Sequence, residues 1–190
     1  MTNATSVDAI LAGTRRVIVE RGAGGFTMSA IAAAAGVSRP TLYKWFPTKD
    51  LLLAALTAFE QEVFADRLRA AVEAQRTPAR KLDAAVQLLV TYIDGLMGPD
   101  PIGADPGFAL QSLAASIGPQ TAAFVRLLGD ALEAVPAVRL GHLSREGASD
   151  LFLRVAYSHY LVPHPDPEVL LANLRSFAGL SPRSMTRAAS

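Results

Sequence analysis

Apolar residues recur at helical spacing almost from the first position. Val7, Ile10, Leu11, Thr14, Val17 and Ile18 form one stripe and predict an amphipathic helix over about residues 5–21, closed by Gly22. Gly22, Gly24 and Gly25 then predict a turn. Thr27 can cap a short helix running through Ala35, which Gly36 ends; Ser38 can cap the next, with Pro40 in its first turn, where no intrahelical donor is needed. Pro47 stops that third helix and Thr48 can cap a fourth of about 25 residues, in which Leu52, Leu56, Phe59, Val63 and Leu68 face one way while Glu60, Glu62, Asp66 and Arg69 cover the other. Pro78 introduces a fifth helix carrying Leu82, Val86, Leu89, Val90 and Ile93. The stretch GPDPIGADPG interrupts the pattern as a loop. Beyond it, FALQSLAAS and TAAFVRLLGDALEAV predict two helices separated by Gly118 and Pro119, the second ended by Pro136. A polar segment over about 139–147 precedes SDLFLRVAYSHYLV, which Pro163 terminates, and residues 168–178 form the last helix. The prediction is an all-α chain of nine helices, since period-two alternation never holds over a whole segment.

Residues 27–52, TMSAIAAAAGVSRPTLYKWFPTKDLL, carry the most specific constellation. A helix-turn-helix needs a small residue where its helices cross, a glycine able to take positive φ at the turn, and an apolar residue just after it to plug the corner. Ala32, Gly36 and Val37 meet those needs in order, and Ile31, Leu42 and Phe46 supply the buried stripe. If Leu42 and Phe46 face inward, helical geometry turns Arg39, Thr41, Tyr43 and Lys44 outward, toward solvent or a ligand. Such a flank suits a DNA groove: arginine and lysine donate to guanine edges, and threonine and tyrosine hydroxyls suit phosphate oxygens. Arg39 precedes Pro40, which holds the helix start rigid, so its guanidinium can reach a base edge or simply face water. Trp45 either packs beneath the helix or touches a phosphate.

This segment resembles the TetR family of bacterial regulators. The likeness lies in FTMSAIAAAAGVSRPTLYKWFPTKDLLLAAL and in the preceding helix ending ERGAGGF; it is specific over residues 7–56, and the remainder agrees only in length and helical character. The resemblance implies a recognition helix from Arg39 to Phe46 with Pro40 at its start. It also implies phosphate contacts at Thr41, Tyr43 and Lys49, a base or phosphate contact at Lys44, and backbone contacts at Thr27 and Ser29, where helix-terminal amides attract anions. It further implies a DNA-binding domain over 1–48, a ligand-binding and dimerisation domain over 49–180 and a flexible tail over 181–190. The family's working unit is a homodimer on double-stranded operator DNA, commonly a repressor released by a small-molecule effector, here expected to be hydrophobic.

The chain's 190 residues allow a sizeable core. With 51% apolar residues and a mean hydropathy of +0.27, either an alanine-rich helical core or some apolar surface that meets a partner is implied. The first 50 residues hold six basic groups (Arg15, Arg16, Arg21, Arg39, Lys44 and Lys49) against Asp8, Glu20 and Asp50, leaving the remainder slightly acidic. The lack of cysteine excludes disulfides, thiolate metal sites and cysteine nucleophiles and fits a reducing cytoplasm; no export signal or membrane-spanning stretch is expected.

In the second half, Leu151, Phe152, Val155, Leu170, Leu171, Leu174 and Phe177 offer apolar surface either for a four-helix dimer bundle or for the chain's own core. Phe64, Tyr92, Phe108, Phe124, Tyr157 and Tyr160 could likewise line a ligand pocket or fill a core, with Gln87, Gln111, Ser112 and Arg126 as polar groups that could orient a ligand. No cofactor and no metal site is expected. His142, His159 and His164 lack ligand spacing, and neither a nucleophile elbow, a P-loop nor a dinucleotide fingerprint occurs. An enzyme is therefore not expected. The rival reading is a small all-helical carrier of hydrophobic ligands, or an enzyme, without specific DNA binding; activation rather than repression also stays open.

Overall fold

The computed structural model describes residues 2–21, 27–96, 106–163 and 166–180. The expected turn at Gly22–Gly25, most of the loop from Gly98, His164 and the tail 181–190 lie outside the described residues, as does the side chain of Phe108. Among the described residues there are nine α-helices and no strand.

Helix α1 (Thr2–Arg21) is followed by α2 (Met28–Ala35) and α3 (Arg39–Trp45). The extended Thr27 caps α2 by accepting from the Ala30 amide at 3.1 Å, and Gly36 closes it at φ 67°, the left-handed conformation that the sequence pattern demanded. Ser38 caps α3 by accepting from the Thr41 amide at 3.2 Å, with Pro40 in the first turn. Helix α4 (Lys49–Glu73) starts where the Leu51 amide donates to Thr48 Oγ1 at 3.2 Å. Then come α5 (Pro78–Leu96), α6 (Pro106–Leu128), a 3₁₀ segment (Gly129–Ala134), α7 (Pro136–Arg139), α8 (Arg145–Leu161) and α9 (Pro167–Phe177).

One expected boundary is absent. The two helices anticipated on either side of Gly118 and Pro119 are a single helix, α6, with Pro119 inside it. Proline removes one donor and crowds the preceding turn, which normally ends a helix. Here Gly118 and Pro119 are exposed, while Gln120, Ala123, Phe124 and Leu128 are buried at helical spacing, so packing of that face carries the helix past the break. The ninth helix is instead the single turn α7, which the sequence pattern did not signal.

The chain divides into two compact units: residues 1–62 with 96–112, and residues 63–95 with 113–190. In the first, Ile10, Leu11, Val17, Ile31, Ala32, Leu42, Phe46, Leu52, Leu53 and Leu56 form one buried cluster joining α1, α2, α3 and the start of α4. Helices α1 and α2 meet at Gly13, where an added Cβ would lie 2.8 Å from the Ala35 amide nitrogen. Two successive arginines reach outward from α1: Arg15 pairs with Glu60 at 3.4 Å, and Arg16 donates to the Ala34 carbonyl at 3.5 Å. In the second unit, Phe64 meets Tyr92 edge-on with centroids 4.9 Å apart and stacks on Phe124 at 6.0 Å. Arg175 on α9 grips α5 through Asp83 at 2.7 Å and Gln87 at 3.3 Å, and Arg145 joins the start of α8 to Asp130 and Glu133 at 2.8 and 3.0 Å.

Candidate nucleic-acid interface

The exposed flank of α3 is a direct consequence of what the helix buries. Leu42 is fully buried and Phe46 nearly so, and both belong to the cluster that ties α3 to α1, α2 and α4. With that face fixed, Arg39, Pro40 and Lys44 are exposed and Tyr43 keeps 42% of its surface. Thr41 is half-buried, and its hydroxyl lies 2.7 Å from that of Ser38, so the cap also fixes the Thr41 side chain. Trp45 is partly buried and packs against the core cluster. Thr27 and Ser29 at the start of α2, and Lys49 at the start of α4, are exposed as well.

A rigid, short, capped helix therefore presents one guanidinium, one ammonium and one phenol along an outward face. Backbone amides at the first turn of α2 add partial positive charge beside it in sequence. Two features behind this geometry are hard to read from sequence. Gly13 is the contact point of α1 and α2, and its only signal is a glycine in the middle of an apolar helical stripe. Arg15 and Arg16, counted at first only as basic charge, hold α4 and the end of α2.

The segment 10–56 matches the family model described as "Bacterial regulatory proteins, tetR family". Over that segment the chain is similar to the TetR family. That match spans α2, α3 and the residues that pack beneath them. No curated protein sequence matches the chain. Solved structures do. The fatty acid degradation regulator FadR from Bacillus halodurans is 18% identical, with 90% of this chain and 93% of that one covered and a TM-score of 0.66. The TetR family repressor AlkX from Dietzia sp. strain DQ12-45-1b, implicated in biodegradation of n-alkanes, is 19% identical, with coverages of 91% and 93% and a TM-score of 0.60. A bacterial regulatory protein in the tetR family from Rhodococcus RHA1 is 18% identical, with coverages of 92% and 96% and a TM-score of 0.58. At this identity the likeness is one of fold, and it extends the TetR architecture over nearly the whole chain.

The candidate residues of the second unit divide sharply. Phe152, Leu170 and Leu174 are buried within the chain, as is Leu171, whereas Leu151 (38%), Val155 (40%) and Phe177 (38%) are exposed. Phe177 nevertheless touches the buried Phe152 edge-on at 5.1 Å, so the exposed set is continuous with the core beneath it. Val162, which follows the last residue of α8, is 79% exposed and was not singled out from sequence.

Among the ligand candidates, Phe124 and Tyr92 are buried against Phe64, and Gln87 is engaged by Arg175. Gln111 and Arg126 are exposed. Tyr157 is buried and donates to Gln120 Oε1 from α8 to α6; burial pushes its hydroxyl well above the usual tyrosine range, and burial also raises that of Tyr160. Among the described residues no cluster of histidine and carboxylate ligands forms a metal site. His142 is exposed, and the buried His159 faces Asp94 at 3.6 Å. No described helix is long and apolar enough to cross a membrane.

Proposed function

We propose that this chain is a DNA-binding transcriptional regulator, a repressor that acts as a homodimer on a two-fold symmetric operator and is released by a small molecule. The observation that carries the reading is the outward flank of α3: Arg39, Tyr43 and Lys44 stand in solvent because Leu42 and Phe46 are locked into the unit's core. Arg39 and Lys44 would address base edges or phosphates, and Thr41, Tyr43 and Lys49 phosphates; Thr27 and Ser29 would meet the backbone through the start of α2, while Pro40 keeps the recognition helix rigid. One such helix reads only a few base pairs. A second copy, about 34–36 Å away across a two-fold axis, would supply the matching half-site.

Leu151, Val155 and Phe177, with Val162, are the natural surface for that second copy, since together they are too apolar to be favoured in water. Phe152, Leu170 and Leu174 would support this surface from beneath. For the effector, Tyr92, Phe108, Phe124, Gln111 and Arg126 remain the proposed contacts, and a largely apolar molecule is favoured. FadR and AlkX, which share the fold, are linked by name to the degradation of fatty acids and n-alkanes. Release requires that the effector bind one conformer better than the other, and it can shift operator affinity only by that difference.

Selection from random duplex DNA tests the reading. Repeated rounds should enrich a palindrome whose half-sites lie about 10 base pairs apart, with affinity falling steeply as salt rises. Recovery of an unenriched pool would favour the alternative of a hydrophobic-ligand carrier or enzyme without specific DNA binding.

A further inference from the structure

In the second unit an open groove of about 420 Å³ runs between α6 and α8, lined by Gly118, Thr121, Ala122, Val125, Arg126, Glu146 and Asp150. Its floor is apolar and its charges are not used up. Arg126 on α6 and Glu146 on α8 line the same groove, yet neither side chain forms a salt bridge or hydrogen bond with another described residue. Asp150, by contrast, is committed to Arg154 at 2.6 Å. Thr121 also lines the groove, but its Oγ1 is sealed from solvent and therefore from the groove.

We propose that this groove binds a small zwitterion with an apolar body, of the size and chemistry of an apolar α-amino acid. A carboxylate would pair with Arg126, an ammonium group with Glu146, and the apolar side chain would lie over Gly118, Ala122 and Val125. The volume suits such a molecule, lying toward the lower end of the range of about 300–1,000 Å³ for small-molecule sites. A purely cationic or purely anionic ligand would satisfy one charge and meet its own sign at the other. A purely apolar one would engage neither charge. The groove shares Arg126 with the effector contacts proposed above but is not lined by Phe64, Tyr92 or Phe124, and the reading of α3 as a DNA-recognition helix does not depend on it.

The test is calorimetric titration of the full chain with L-leucine, L-phenylalanine and L-tryptophan, against 3-phenylpropionate and 2-phenylethylamine, which carry one charge each on the same apolar body. At least one zwitterion should saturate the protein below about 10 mM, and at least tenfold more tightly than either single-charge compound. Glu146→Gln should erase the advantage over the carboxylate alone, and Arg126→Gln the advantage over the amine alone. Both charged positions are exposed, so these variants should fold. Absence of saturable zwitterion binding, or equal binding of all the compounds to wild type and variants, would overturn the site. Operator binding by the ligand-free chain, measured in parallel, keeps the outcomes separable: if it persists while the zwitterions fail, the groove is wrong and the regulator reading stands.

Discussion

In the amino-terminal unit a small, tightly specified core forces a polar face outward; in the carboxy-terminal unit a larger core leaves apolar groups both inside and out. Each position in the first is set by a local requirement. Gly36 must be left-handed, Ser38 must cap, Gly13 must lack a side chain, and Leu42 must be buried. The second has few such fixed points, because leucine, valine and phenylalanine on a helix can serve core, interface or ligand equally well. The contrast teaches that function becomes readable where backbone geometry, rather than hydrophobicity alone, dictates residue identity.

The largest expected effect lies in the second core. Phe124→Ala removes the ring that stacks on Phe64 and should cost about 3–5 kcal/mol in chemical denaturation, enough to unfold a marginal domain. A null effect would mean that the aromatic stack borders a space able to collapse. The matched pair Gly13→Ala and Gly95→Ala then sharpens the role of backbone approach. The first drives a methyl to 2.8 Å from the Ala35 nitrogen and should lower stability by about 1–3 kcal/mol. The second meets open space within a helix and should be neutral or stabilising by up to about 1 kcal/mol. Equal effects in thermal melts would erase the distinction.

Val155→Lys should leave the monomer's fold intact while lowering the average mass in sedimentation, since the residue is exposed in the single chain. Unchanged mass would remove α8 from the interface. The smallest effect concerns pH. Burial raises the Tyr157 hydroxyl above its unfolded value near 10, so the folded chain keeps a proton that the unfolded chain loses. Stability contributed by this group is complete below about pH 10 and declines above it; Tyr157→Phe should flatten the alkaline slope of urea-derived stability.

The sequence pattern located both caps of the helix-turn-helix, its glycine corner and the outward flank of α3, because these follow from φ, hydrogen-bond supply and a period of 3.6 residues. It divided α6 at Pro119 because a proline's local cost is visible in sequence, whereas the burial of Gln120, Ala123, Phe124 and Leu128 that offsets it is not. Leu151 and Phe152 illustrate the same limit. They are adjacent and similar in chemistry, yet one is exposed and the other fully buried, and only the rotation of α8 against its neighbours separates them. Of the groove charges, the sequence offers Arg126 as one of four polar groups that could orient a ligand, but its counterpart Glu146 lies twenty positions away and is joined to it only by the packing of α6 and α8.

The central claim concerns the outward face of α3, and the most direct measurement is operator affinity of the double variant Tyr43→Phe, Lys44→Ala against wild type. Both side chains are exposed, so helicity, melting temperature and dimer mass should be unchanged, and Trp45, the chain's single tryptophan, reports at the site itself whether the core beneath is intact. The account predicts at least a tenfold loss of affinity for the selected palindrome and a salt slope shallower by about one. Wild-type affinity and slope in a variant that folds and dimerises normally would contradict it.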